Sequence, residues 1–260
     1  IVGGITLLEP LGGEEWPVTP KTRLIRYTTA GTITNIDLKY SSNGGSTYSL
    51  IASKTHAAPG TFSHTWATMP DATTLQARVK VEDQNNPSVV FVQSGIFRVI
   101  PVFDITQPEA GHVVTAEGSY TINWTPQGTG VATVRLQYST DGGSVWTTIG
   151  TVTNSGAYSW NPTPATITGQ GKVRVLDPTN PTVPNPTINA GAGLFEIRGK
   201  LTLVIPSDGT QLWLVNDQRY ITWIKQGNFA GAGHSLRLLY SANNGSTFPT
   251  TVATGVAAAN

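Results

Sequence analysis

Tyr138-Ser139-Thr140-Asp141-Gly142-Gly143-Ser144 is a turn signature, and the chain carries it three times. Its echoes are Tyr40-Ser41-Ser42-Asn43-Gly44-Gly45-Ser46, 98 residues earlier, and Tyr240-Ser241-Ala242-Asn243-Asn244-Gly245-Ser246, 102 residues later. Asp-Gly and Asn-Gly pairs tolerate the positive φ that tight hairpin turns need. An alternating stretch precedes each copy: Ile36-Asp37-Leu38-Lys39-Tyr40, Val134-Arg135-Leu136-Gln137-Tyr138 and Leu236-Arg237-Leu238-Leu239-Tyr240. With a period of two, the apolar members share one face, and Asp, Lys, Arg and Gln fall on the wet one. Each signature therefore predicts a β-hairpin with one buried side.

The rest of the repeat reads the same way. Each copy opens on a short apolar strand ending in proline, at Pro10, Pro108 and Pro206, with Gly13, Gly111 or Gly209 three residues on. Proline cannot donate to a ladder and glycine accepts positive φ, so the strand stops in a turn. Next come Leu24-Ile25-Arg26-Tyr27, Tyr120-Thr121-Ile122-Asn123-Trp124 and Tyr220-Ile221-Thr222-Trp223, where a large aromatic on an early strand anchors a core. Beyond the hairpin lie Ser63-His64-Thr65-Trp66 with Tyr158-Ser159-Trp160, then Arg78-Val79-Lys80-Val81-Glu82-Asp83 with Lys172-Val173-Arg174-Val175-Leu176-Asp177, then strands around Phe97 and Phe195. About seven short strands per repeat and no helical period predict an all-β chain of tandem sandwiches, immunoglobulin-like or fibronectin type III-like in size. The expected modules are 5–100, 101–199 and an incomplete 200–260. Ile1-Val2-Gly3-Gly4 aligns with Ile197-Arg198-Gly199-Lys200, so residues 1–4 are expected to be the tail of a preceding module in a longer array.

Composition narrows function by exclusion. Charged residues make up 12% of the 260-residue chain, against about 25% in an ordinary soluble domain. The net charge is +1, and no Lys/Arg cluster marks a nucleic-acid footprint. With 0 cysteines there is no disulfide, thiol nucleophile or thiolate metal site. No run of apolar residues is long enough for a membrane-spanning helix.

The second repeat, with Pro108-x-x-Gly111, Tyr120-x-Ile122-x-Trp124, Val134-x-Leu136, Ile149, Asn154-x-Gly156-x-Tyr158-x-Trp160-x-Pro162, Val173-x-Val175-x-Asp177 and Phe195-x-Ile197, resembles the Ig-like module of the Ser-Thr-rich, GPI-anchored fungal cell-wall family linked to β-glucan assembly. The likeness covers most of the first repeat and the opening half of the third. The departures are Val113 or Val114 and Tyr27, where the pattern has tryptophan. The resemblance implies a fold and an extracellular setting; its matched positions are core and turn residues, so it carries no catalytic residue.

Candidate chemistry is sparse. Ile1-Val2-Gly3-Gly4 matches the activated N-terminus of trypsin-like proteases, yet no Gly-Asp-Ser-Gly-Gly nucleophile segment accompanies it. Ser139 to Trp146 resembles the Asp-box hairpin of sialidases, which is itself a turn. Glu82-Asp83-Gln84-Asn85-Asn86 and Asp141 offer hard oxygens for Ca²⁺ without a carboxylate cluster, and Asp83 and Asp177 are expected to accept backbone N–H groups in a turn. His56, His64, His112 and His234 are scattered and expected at the surface. No carboxylate pair for glycoside hydrolysis recurs between repeats. Trp16, Trp213, Trp146, Tyr48 and Phe248 are candidates for stacking on sugar rings, with core packing expected for the last three. Asn123-Trp124-Thr125 and Asn244-Gly245-Ser246 are formal glycosylation sequons. The expectation is a non-enzymatic extracellular structural or adhesive array, without cofactor, catalytic residue or metal, self-associating through sandwich edges into a stalk, sheath or filament. The alternative is a carbohydrate-binding accessory region of a secreted polysaccharide-active enzyme.

Overall fold

The computed structural model describes residues 3–180, 193–207, 209–231 and 233–257, and all regular structure among them is β. Two compact units form. Unit one comprises Ile1–Asp104 with Thr125–Thr133 and Thr179–Asn189; unit two comprises Ile105–Trp124, Val134–Pro178 and Ala190–Asn260.

Unit one contains β1 (Gly4–Glu9), β2 (Glu15–Pro17), β3 (Arg23–Ala30), β4 (Asn35–Ser41), β5 (Ser49–Thr55), β6 (Gly60–Trp66), β7 (Thr74–Asp83), β8 (Phe91–Gln93) and β9 (Phe97–Ile100). One sheet has the order β1-β3-β6; the other runs β2-β9-β7-β4-β5, with β8 on β7. The opening strand serves both sheets. β1 pairs antiparallel with β3, stops at Pro10, and the chain crosses over so that β2 lies parallel to β9, with Glu15 opposite Arg98 and Pro17 opposite Ile100. The crossing needs glycine: Gly12 has φ +123°, and a Cβ there would come within 2.6 Å of the Gly95 backbone.

Alternation places the core as the sequence predicts. Ile25 and Tyr27 of β3, Ile36, Leu38 and Tyr40 of β4, Val79 and Val81 of β7, and Phe97 and Val99 of β9 are all buried. The rings of Trp16 and Phe97 pack 4.4 Å apart, and those of Tyr40 and Trp66 5.1 Å apart.

The second repeat contains β10 (Val102–Gln107), β11 (Val113–Thr115), β12 (Tyr120–Gln127), β13 (Thr133–Ser139), β14 (Thr147–Thr153), β15 (Ala157–Trp160), β16 (Thr168–Leu176) and β17 (Phe195–Arg198). The orders β10-β12-β15 and β11-β17-β16-β13-β14 reproduce the first repeat, down to the parallel β11–β17 pair. Tyr138 and Trp160, centroids 5.2 Å apart, stand where Tyr40 and Trp66 stand. Tandem sandwiches of this strand order are immunoglobulin-like and fibronectin type III-like. Within unit two, the third repeat adds β18 (Lys200–Ile205), β19 (Thr222–Gln226), β20 (Leu236–Tyr240) and β21 (Thr250–Val256), paired among the described residues as β18-β19 and β20-β21.

The hairpins form, but they are not tight. β4 and β5 are joined by seven residues, 42–48, and a side-chain knot holds the loop. Ser41 Oγ accepts the N–H groups of Asn43 and Gly45 and donates to Asn43 Oδ1, which also accepts the Thr47 N–H. The second repeat makes the same knot with Ser139 and Asp141, and the third with Ser241 and Asn243. Gly44 and Gly45 both have positive φ, as the signature demands. The Asp-box likeness is thus a turn built from a serine and an acid or amide.

The hydrogen bond from Ser139, with the Val145 and Ser144 amides, holds the Asp141 carboxyl below its ordinary value. Ser139→Ala leaves two loop amides without their acceptor and should cost about 1–2 kcal/mol in chemical denaturation. NMR titration of the same variant should show the Asp141 carboxyl moving up toward the ordinary carboxylate range.

Candidate functional site

Three places set polar, aromatic or open apolar side chains together. The first is the outer face of the larger sheet. Lys80 of β7 and Arg174 of β16 occupy the same place in successive repeats, each beside an aromatic delivered by the hairpin loop. Lys80 Nζ lies 4.8 Å from the Phe91 ring centre and 5.4 Å from that of Tyr48, and Arg174 lies 4.2 Å from Trp146. Tyr48 and Trp146 were expected in the core; both are half-buried on the outside instead. The residue after a loop is not bound by the strand period, and these rings lie over the cation stems, where cation–π attraction holds them. Phe248, in the equivalent place, is exposed. Trp16 corrects the sequence reading in the other direction, being buried against Phe97.

The acidic loop next to this face is committed to structure. Glu82 is buried between Lys39, which donates to Oε1, and Lys80, 2.5 Å from Oε2. Burial alone would push its carboxyl up, but the two ammonium hydrogen bonds outweigh that and hold it below the ordinary value. Asp83 accepts the Asn85 N–H and the Asn86 side-chain amide, closing the turn as expected. Neither carboxylate is left open to a cation, and among the described residues no group of three His, Asp or Glu converges.

The second place lies around Tyr27, in the middle of β3. His56, expected at the surface, is only 9% exposed. Its ring stacks on Phe62 at 3.6 Å and shares a 2.9 Å hydrogen bond with the Tyr27 hydroxyl. Burial, and then Lys54, lower the His56 pKa; burial raises that of Tyr27 to about 12. The second repeat solves the same problem with other residues: Trp124 Nε1–H donates to Asn154 Oδ1 at 2.8 Å. So Tyr27 departs from the tryptophan pattern together with its partner. The repeat register held that signal, because His56 follows Tyr27 by 29 residues and Asn154 follows Trp124 by 30. Of the other histidines, His112 bonds the Tyr120 hydroxyl at 3.0 Å, which in turn donates to Gln107; His64 is half-buried on β6; His234 is exposed.

The third place is the third repeat, where apolar strand faces are open. Leu203 is 51% exposed, whereas its counterpart Leu7 is 6% exposed; Tyr240 is 56% exposed and its counterpart Tyr40 6%. Trp213 lines an open cleft with Ile205, Leu212, Arg219 and Tyr220. Among the described residues, β19 has one strand neighbour where β3 has two, and β20 has one where β4 has two.

Of the four-residue protease likeness, Ile1 and Val2 lie outside the described residues; Gly3 packs under Ile33 and Gly4 starts β1. Both glycosylation sequons are on described residues: Asn123 on β12 and Asn244 in a hairpin loop with φ +56°. Among the described residues no helix is long and apolar enough to cross a membrane.

No family model and no curated protein matches the chain. Several solved structures are similar to it. The fibronectin(III)-like modules of Clostridium thermocellum CbhA share 17% identity, with 74% of this chain and 92% of that one covered and a TM-score of 0.24. A tetra-tandem repeat from the extending region of a large adhesion protein shares 16%, covering 67% and 45%, with a TM-score of 0.32. The three N-terminal domains of the bacteriophage RB49 Highly Immunogenic Outer Capsid protein share 12%, covering 97% and 80%, with a TM-score of 0.26.

The Tyr27–His56 pair makes unit one sensitive to acid. A histidine whose folded pKa is lowered binds fewer protons than in the unfolded chain, so stability declines as pH falls below about 6.5. His64, lowered by burial and Lys54, adds in the same direction. His56→Asn alone should cost about 1–2 kcal/mol at neutral pH through the lost ring contact and hydrogen bond. Adding Tyr27→Trp, which recreates the Trp124–Asn154 pair, should recover part of that loss. It should also leave a shallower decline in denaturation midpoint between pH 7 and 5, the remainder belonging to His64.

Proposed function

We propose that the chain is a non-catalytic extracellular structural or adhesive protein, a stretch of an immunoglobulin-like repeat array that builds a stalk, sheath or filament. Its modules are 5–100, 101–199 and an incomplete 200–260, with residues 1–4 as the tail of a module before them. One observation carries the reading: the strand order, the closing parallel pair and the side-chain knot of the hairpin loop recur from the first repeat to the second, with their residues spent on packing and turns. A strand ladder with an apolar face is a template for more strands. With charged residues only 12% of the chain, few charges guard the sandwich edges, and strands of the same kind add to them when chains associate. The core-and-turn likeness to the fungal cell-wall module family supports the same setting.

The cleft lined by Trp213 and Tyr220 favours a second reading, a carbohydrate-binding accessory region that takes cell-wall polysaccharide by stacking.

Sedimentation and negative-stain microscopy separate the two. On the first reading the chain forms oligomers or fibres, and Leu203→Lys with Leu238→Lys returns it to a monomer by charging the open faces. A monomer at every concentration, together with retention on insoluble β-glucan that Trp213→Ala and Tyr220→Ala abolish, would favour the second.

A further inference from the structure

A short glycine loop follows β3, β12 and β19: Ala30-Gly31-Thr32-Ile33, Gln127-Gly128-Thr129-Gly130 and Gln226-Gly227-Asn228-Phe229. The central glycine has φ of +74°, +98° and +100° in turn, a left-handed backbone that exposes the next amide at the loop tip.

Two of the three tips are seated, and in the same way. Within unit one, the Thr129 N–H donates to the Asp71 carbonyl at 2.7 Å, and its carbonyl accepts the Thr73 N–H at 3.0 Å. A Cβ on Gly128 would touch Val18 at 3.2 Å. Within unit two, the Asn228 N–H donates to the Ala165 carbonyl at 2.7 Å, and the Gly227 N–H to Glu117 Oε2 at 2.6 Å. A Cβ on Gly227 would touch Ala116 at 3.0 Å and Ile167 at 3.2 Å. Asp71 and Ala165 each lie five residues past the equivalent Trp66 and Trp160; Val18 and Ala116 each lie two past the equivalent Trp16 and Val114. One socket is therefore built twice: a strand-like carbonyl beside a small apolar side chain.

The first tip has the rest of the joint but no socket. A Cβ on Gly31 would meet the Gly3 backbone at 3.0 Å, as one on Gly227 would meet Gly199 at 3.2 Å. Ile33 packs over Gly3 as Phe229 packs over Gly199. Gly31 and Thr32 are exposed, and among the described residues no carbonyl receives the Thr32 N–H.

We infer that the Gly31–Ile33 loop is a docking tip for another sandwich module of this type, joined ahead of Gly3 and seating Thr32 on its own equivalents of Val18 and Asp71. The inference rests on the array reading and adds to it the contact that links successive modules. The packing of the loop on Gly3, matched by that of Gly227 and Phe229 on Gly199, favours a module in the same chain over one from another chain, since that seated tip also packs on the segment preceding its own repeat.

Hydrogen exchange of three amides tests it. In the chain of residues 1–260, Thr129 and Asn228 should exchange at least about tenfold more slowly than Thr32. In an extended chain with a copy of residues 5–100 joined directly to Gly3, Thr32 should slow to match them. Thr32 already protected in the chain of residues 1–260 at low concentration would overturn the proposal, whether or not the extended chain folds. So would Thr32 still fast in a folded extended chain while Thr129 and Asn228 stay slow, a result that leaves the array reading standing. Protection of Thr32 that grows with concentration in the chain of residues 1–260 would overturn the same-chain assignment in favour of a second copy. If all three amides exchange freely, the socket itself fails, and sedimentation then decides the array reading separately.

Discussion

Without a cysteine, each sandwich is held by the contact of two sheets through side chains that alternate in and out. Everything else about the chain follows from having to close that contact. Each early strand drives one large ring into the gap, Tyr27 or Trp124, and the opposite sheet answers with Leu38, Val79 and Phe97 or Leu136, Val173 and Phe195. The buried rings carry polar atoms, and each needs a partner at the end of the core. The chain finds one with His56 in one repeat and Asn154 in the next. The substitution is a paired one, so one geometric requirement is met by two chemistries with different responses to pH.

Much of the fold was legible because it is local. Alternation over Tyr120–Trp124 and Val134–Tyr138, the glycine pairs after them and the recurrence of both decide strands, hairpins and faces without reference to distant sequence. What escaped is non-local or aperiodic. The parallel pairing of β2 with β9 joins residues more than 80 apart, and nothing in Glu15-Trp16-Pro17 announces it. The seven-residue loops take Tyr48 and Trp146 out of the strand period, so the sequence gives no face for them and the structure lays them over Lys80 and Arg174. His56 carries no signal of its own. Set beside the second repeat, its spacing from Tyr27 marks it as one half of a pair. Asp83 was legible as a turn residue because its partners, Asn85 and Asn86, lie within three positions of it.

The polar face of the larger sheet shows how a chain this poor in charge uses the few it has. Glu82 gathers Lys39 and Lys80, and Asp37 accepts from Ser53 and Gln84 while lying 3.8 Å from Lys39. Arg174 donates to Gln137. These groups satisfy one another across neighbouring strands, which is cross-strand pairing rather than a reaction centre.

The parallel pairing of β2 with β9 has a mechanical consequence. The two strands carry the entry and exit of one sandwich, so tension applied along the chain pulls Glu15 and Ile100 in opposite directions along a shared ladder. The load falls in shear on several hydrogen bonds at once, instead of opening them one after another like a zip. β11 and β17 repeat the arrangement. A string of such units resists stretching at every link without any covalent crossbridge.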